Sequence, residues 1–267
     1  MRMNTVQTKS SETPFKNAVR ALFSDPREKA FIFAMEGGLL RSDDLDETRF
    51  AAEELADLLG ELSTASDGAV AMLSDRPLAE TDRLLAPLSL PGCGSSGLEL
   101  RIPGGAHLKL RIEADLDPVR RFLDGALRGE TALGVDDDGL AIALTHGGEP
   151  EAMERARVLA REAVGLAPAA YCVRFEEAAT RITFTGASKA RAVRRLMSCD
   201  YFIERIPVVF GGRVCDDDVY SVVRSFGGTA IQVGSRDGHC ADIQVPGSND
   251  VRWLIRDFLA DLGSRVH

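Results

Sequence analysis

Long apolar runs are missing from this 267-residue sequence. Its hydrophobic stretches are broken by Glu, Gly or Arg well before the roughly 18 residues that a membrane-spanning helix needs, so such a helix is excluded. Cysteine is sparse and scattered: Cys93, Cys172, Cys199, Cys215 and Cys240 form no C-x-x-C pair, which removes the zinc-ribbon and dithiol-redox classes. No apolar segment opens the sequence, and reduced thiols in the cytoplasm are expected. Positive charge is also short. Lys and Arg number 32 against 41 Asp and Glu, a net charge of -9, which excludes a phosphate-backbone binder because nucleic-acid affinity comes from clustered cations.

What the chain does have is a 45% hydrophobic composition, enough for a large core or for a core with an inserted domain. Residues 1–13 are polar and aperiodic and are expected to form a disordered arm. Beyond them, short apolar runs alternate with amphipathic stretches, the pattern of an α/β protein with a Rossmann-like parallel sheet flanked by helices. Strands are expected at Ala30 to Ala34 and Ala69 to Leu73, and helices at Thr48 to Leu62 and Leu78 to Leu88. A middle segment differs, with strand-like runs at Leu108 to Glu113, Leu140 to Thr145, Ala170 to Phe175 and Arg181 to Phe184, and a helix at Pro150 to Val164. The first pattern then returns, with helices at Lys189 to Met197, Asp217 to Phe226 and Ser248 to Leu262 and strands at Pro207 to Phe210 and Thr229 to Val233. The expected organisation is a discontinuous core of residues 14–104 and 188–267, interrupted by an α+β cap of residues 105–187.

The strand ends carry polar turns, and open α/β sheets place ligands at that edge. F-I-F-A-M-E-G-G-L-L (31–40), S-D-R (74–76), G-S-S-G-L-E-L-R (94–101), G-A-S-K-A-R (186–191) and F-G-G-R-V-C-D-D-D-V-Y (210–220) follow one another at the turns. In order and spacing they resemble the motifs of the trehalose-6-phosphate phosphatases, members of the haloacid-dehalogenase-like superfamily with an inserted cap. The resemblance implies that the nucleophile position is Ala34, where the family has Asp, and that the acid/base position is Glu36. Loss of such a nucleophile lowers the rate about 10⁴- to 10⁶-fold, and displacement of an acid by about an ångström lowers it roughly 100-fold. Of the family's Mg²⁺ ligands only Asp216 is matched, because Gly212 and Arg213 stand where the motif has acids. Phosphate-binding positions fall on Ser74, Lys189 and Arg213, and substrate or cap positions on Arg76, Glu99, Asp138 and Thr145. His146 lies one place from the family's cap histidine, and Cys215 stands where the family has Thr.

Two accounts of Arg213 follow. It joins Ser74 and Lys189 in a metal-free anion pocket, or it pairs with Glu36 or Asp216 and fills the site internally. Asp217 and Asp218 suit the first turn of a helix, and Asp136, Asp137 and Asp138 before Gly139 suit a hairpin turn. The resemblance therefore implies a pseudophosphatase without a bound Mg²⁺, acting as sugar-phosphate sensor or regulatory subunit with a trehalose-pathway enzyme or in a homodimer. Alternatives are a weak or altered sugar-phosphate phosphatase and a purely structural partner.

Overall fold

The structure, a computed structural model, describes residues 19–40, 49–110, 112, 115–176 and 178–265. The arm expected over residues 1–13 lies outside them. In chain order the fold begins with β1 (Lys29–Ala34), α1 (Arg49–Ala65), β2 (Val70–Leu73) and α2 (Leu78–Leu85), then three short strands, β3 (Gly92–Gly94), β4 (Glu99–Arg101) and β5 (His107–Lys109). A second group follows: α3 (Asp117–Ala126), β6 (Gly134–Asp137), β7 (Ile142–Thr145), α4 (Pro150–Val164), β8 (Tyr171–Phe175) and β9 (Ala179–Phe184). The chain returns through α5 (Lys189–Leu196), β10 (Ile206–Gly211), α6 (Asp217–Ser225), β11 (Thr229–Val233), β12 (Ile243–Val245) and α7 (Ser248–Arg265).

Among the described residues the strands form two sheets. The larger runs β12-β11-β10-β1-β2-β3-β4-β5 and the smaller β6-β7-β9-β8. From β12 to β3 all neighbours are parallel, with β1 at the centre in register with β10 (Phe31 opposite Val208) and β2 (Phe31 opposite Val70). A strand covered on both faces reads as a continuous apolar run, and Ala30 to Ala34 are buried throughout. Alternation then divides its side chains. Phe31 and Phe33 face a core built with Leu59, Leu62, Ile255 and Phe258 of α1 and α7, while Ala30 and Ile32 face Val193, Leu196 and Val223 of α5 and α6. Rings reinforce the first core: Phe23 stacks on Phe31 at 5.0 Å and Phe33 on Phe210 at 4.9 Å.

The smaller sheet is antiparallel and has its own core, in which Val119 and Leu123 of α3 and Ala156 and Leu159 of α4 cover Ile142, Leu144 and Ile182. The α/β class matches the expectation from the sequence. One strand differs. Among the described residues the run expected at Leu108 to Glu113 forms a strand over His107–Lys109 that pairs with β4, Lys109 opposite Glu99, so it extends the larger sheet; Arg111 and Glu113 lie outside the described residues. Its three residues are exposed edge, and hydrophobic pattern does not say which of two sheets an edge strand joins. No described helix is long and apolar enough to cross a membrane.

Phe31→Ala deletes a fully buried ring from the centre of the larger core. It is expected to lower unfolding free energy by about 3–5 kcal/mol in urea titration. Phe226→Ala, at a half-exposed ring, is expected to change it by no more than about 0.5 kcal/mol.

Candidate functional site

Three loops converge at the carboxyl edge of the larger sheet, and glycine sets how closely. After β1 the chain turns sharply, with Gly37 at φ +81°. A Cβ on Gly38 would stand 2.9 Å from the Phe210 carbonyl oxygen, and one on Gly212 would stand 2.3 Å from that of Gly37. The loops after β1 and β10 therefore touch backbone to backbone, and position 212 has no room for a side chain. Ala34 ends β1 with its methyl group buried. Glu36 leans toward β2, where its carboxylate accepts from the Ser74 hydroxyl at 2.8 Å and the Asp75 N–H at 3.2 Å. Ser74 Oγ in turn accepts from the Arg76 N–H at 2.9 Å. Arg76 itself sits at the half-exposed rim, 3.4 Å from Glu80 and 4.0 Å from Glu36.

The centre of the site is Asp75. Its buried carboxylate takes Lys189 Nζ at 2.9 Å, Arg213 Nη1 at 3.1 Å and the Ser96 hydroxyl at 2.8 Å. These donors come from α5, the loop after β10 and the turn after β3. The Ser96 backbone is left-handed, φ 56°, an uncommon conformation for a residue with a Cβ. Lys189 also reaches Asp216 at 3.4 Å, and the other Asp216 oxygen accepts the Gly212 and Arg213 N–H groups at 3.1 and 2.9 Å. Arg213 extends its second nitrogen to Glu176 of the β8–β9 turn, 2.8 Å away, and Glu176 pairs with Arg181 at 3.2 Å. The two sheets are thus joined by an ion-pair chain, Lys189–Asp75–Arg213–Glu176–Arg181.

Burial alone would raise the Asp75 carboxyl, but Lys189, Arg213 and the hydrogen bonds outweigh it and hold the group well below its usual 3.8. Lys189 shows the reverse balance. Burial works against its charge, yet Asp75 and Asp216 hold the ammonium well above its usual value of 10.5. Burial pushes the Cys215 thiol up to about 12, with Lys189 opposing and Asp75 and Asp216 reinforcing, so the group is no thiolate nucleophile.

Beside this cluster a cleft of about 750 Å³ opens between the sheets, lined by Asp75, Arg213 and Cys215 on one side and Arg157, Arg174 and Phe175 on the other. Of the residues singled out from sequence, Lys189, Arg213 and Asp216 gather around Asp75 and Arg213 lines this cleft, while Glu36, Ser74 and Arg76 line a separate pocket of about 260 Å³. Glu99 does not reach the cleft. It is buried behind it, accepting the Leu78 N–H at the start of α2 at 2.8 Å and pairing with Lys109 at 3.2 Å. Asp138 closes the β6–β7 hairpin by accepting the Leu140 and Ala141 N–H groups at 2.8 and 2.7 Å, and Thr145 ends β7 opposite Gly134. His146 accepts the Gly148 N–H at 3.2 Å, and burial lowers its pKa. Asp217 begins α6 and binds Arg236 at 3.1 Å.

No family model matches the chain. It is 27% identical over 207 residues to trehalose-6-phosphate phosphatase of Escherichia coli (strain K12), across 77% of each chain. It is 25% identical over 214 residues to a probable trehalose-phosphate phosphatase of Sinorhizobium fredii (strain NBRC 101917 / NGR234), across 80% of this chain and 81% of the other. In sequence the chain is thus similar to trehalose-6-phosphate phosphatases. Its fold agrees. The C-terminal domain of the Candida albicans trehalose-6-phosphate phosphatase superposes with a TM-score of 0.75 at 13% identity, over 90% of this chain and 97% of that one. The C-terminal domain of the Candida albicans trehalose synthase regulatory protein gives 0.70 at 14%, over the same shares.

Sequence reasoning missed Asp75, Ser96 and Glu176. Asp75 had a signal, since S-D-R stands where trehalose-6-phosphate phosphatases have S-G-R: an added carboxylate beside a motif cation. Glu176 had none, because its partner lies 37 residues away in sequence and joins a different sheet. Of the pairings expected for Arg213, neither Glu36 nor Asp216 is its side-chain partner; Asp75 and Glu176 are.

Lys189→Met strands Asp75 and Asp216 and is expected to destabilise the fold by about 3–5 kcal/mol at neutral pH. Because the folded-state carboxyl of Asp75 is depressed, its contribution is full above the ordinary value of 3.8 and is lost as pH falls below it. Asp75→Asn is therefore expected to flatten the fall in stability below about pH 4 in acid titrations followed by circular dichroism.

Proposed function

We propose that this protein is a degenerate member of the trehalose-6-phosphate phosphatase family and a non-hydrolytic regulatory protein of trehalose metabolism. Hydrolysis in this superfamily begins with attack of an Asp carboxylate on phosphorus. The position that matches it is Ala34, whose methyl group is buried and has no lone pair to offer. That is the observation on which the proposal rests. The cations that would receive the phosphoryl group carry carboxylates already, Lys189 from Asp75 and Asp216, Arg213 from Asp75 and Glu176.

Nor does the donor set suit Mg²⁺, which takes hard oxygens in an octahedron. Ala34 and Gly212 supply none. The oxygens of Asp216 are engaged by two backbone N–H groups and Lys189, and Arg213 puts a fixed positive charge beside them. Weak phosphatase activity would need Glu36 or Asp216 as the water-activating base, but the Glu36 oxygens accept hydrogen bonds from Ser74 and Asp75 and those of Asp216 from Lys189 and the Gly212 and Arg213 N–H groups.

A regulatory role accords with the fold shared with the Candida albicans regulatory protein. It would be exerted on an enzyme of the same pathway, directly or as a homodimer in the cytoplasm. Sugar-phosphate sensing is a second reading, favoured by the arginines Arg157, Arg174 and Arg236 along the cleft.

Purified protein with Mg²⁺ is expected to release no phosphate from trehalose-6-phosphate above an enzyme-free blank. Turnover that disappears in Glu36→Ala would overturn the proposal. Ala34→Asp alone is expected to restore no activity, because Gly212 has no room for a ligand side chain and catalytic groups act as a unit. Steady-state assay of that variant checks it, and strong turnover would show the remaining site to be intact.

A further inference from the structure

Asp75 is an unusual carboxylate for its position. Three donors from three separate elements converge on it: an ammonium at 2.9 Å, a guanidinium nitrogen at 3.1 Å and a hydroxyl at 2.8 Å. Charge-assisted bonds of this length, two of them cationic, are the coordination that proteins give to bound oxyanions. The donors are also accessible from two openings. Asp75, Ser96 and Cys215 line both the large cleft and a smaller cavity of about 180 Å³ that includes Lys189.

The charge count shows what the carboxylate does. Without Asp75, Lys189 would keep Asp216 at 3.4 Å and Arg213 would keep Glu176 at 2.8 Å, so each cation would have one partner and the cluster one negative charge fewer. The gap left between them would be lined by N–H and O–H donors with no acceptor, and an unpaired buried donor costs about 1–3 kcal/mol. A small anion presenting two or more oxygens is the solute that relieves this.

We propose that Asp75 is a built-in occupant of an oxyanion site: its carboxylate stands between Lys189, Arg213 and Ser96 where an external phosphate group would otherwise bind. The site is autoinhibited by one side chain of its own chain. This rests on the non-hydrolytic reading above and deepens it. It accounts for a buried lysine and a part-buried arginine facing each other in a chain without a nucleophile, because they hold Asp75 and, through Arg213 and Glu176, tie the second sheet to the first.

Inorganic phosphate at low salt with EDTA, titrated by calorimetry, tests it on the wild-type chain, Asp75→Gly, Asp75→Ala and the double variant Asp75→Gly with Arg213→Met. Circular dichroism establishes that each is folded. Wild type is expected to show no binding in the millimolar range, and Asp75→Gly and Asp75→Ala to bind about tenfold or more tightly than wild type. The double variant is expected to lose that gain. Wild type binding as tightly as Asp75→Gly overturns the proposal, as do folded Gly and Ala variants that both fail to bind, or a double variant that binds undiminished. Should both single variants unfold, melting of the wild type decides. Equal melting temperatures in phosphate and in chloride of matched ionic strength are expected, and a phosphate-specific rise overturns the proposal. Hydrolysis by the wild type would overturn the functional reading instead, and the two failures are separately visible.

Discussion

A buried carboxylate between two cations organises this protein. Asp75 sits at the end of the strand next to the central one, and its partners are carried by a helix, a post-strand loop and a left-handed turn, none of them adjacent in sequence. Each partner is itself tied elsewhere: Lys189 to Asp216, which holds the loop after β10 by two backbone N–H groups, and Arg213 to Glu176 of the smaller sheet. Such groups are expensive to bury singly and stable only together, so the arrangement behaves as one unit. Arg213 ties the two sheets together through Asp75 and Glu176.

Backbone contact sets a second constraint. The loops after β1 and β10 meet at Gly38 and Gly212 without space for a Cβ, with Gly37 turning the first of them at φ +81°, and this brings Glu36 and Arg213 close together. A side chain at position 212 would push the loops apart and draw Arg213 away from Asp75. Packing and electrostatics are thus one problem here: the composition that removes ligand oxygens is the one that lets the loops close.

Much of the fold was legible in the sequence because burial leaves a periodic trace. The strands at Ala30 and Pro207 are apolar throughout, as parallel strands covered on both faces tend to be, and Pro150 opens its helix at the position that tolerates proline. Less regular elements left weaker traces. The three-residue strands β3, β4 and β12 are too short for a period, and Asp117–Ala126 includes a proline, a glycine and charges that mask its apolar stripe. In the site, Ala34, Glu36, Ser74, Lys189 and Asp216 were found through motif order, which reflects chain connectivity. Glu176 was not, since a long-range ion pair has no local signature. Glu99, singled out as a substrate contact, is instead the buried acceptor for the first N–H of α2, a role that depends on which helix starts above it.

Sequence similarity to phosphatases and a fold shared with a regulatory protein are compatible, because chemistry belongs to the site and not to the scaffold. The account stands on the coupling of Asp75 to Lys189. A double-mutant cycle of unfolding free energies, using Asp75→Asn, Lys189→Met and the pair, measures it directly. The account predicts that the double variant is more stable than the sum of the single losses implies, by about 2 kcal/mol or more, because each single change leaves a buried charge without its shortest ion pair. Additivity within about 0.5 kcal/mol would contradict it.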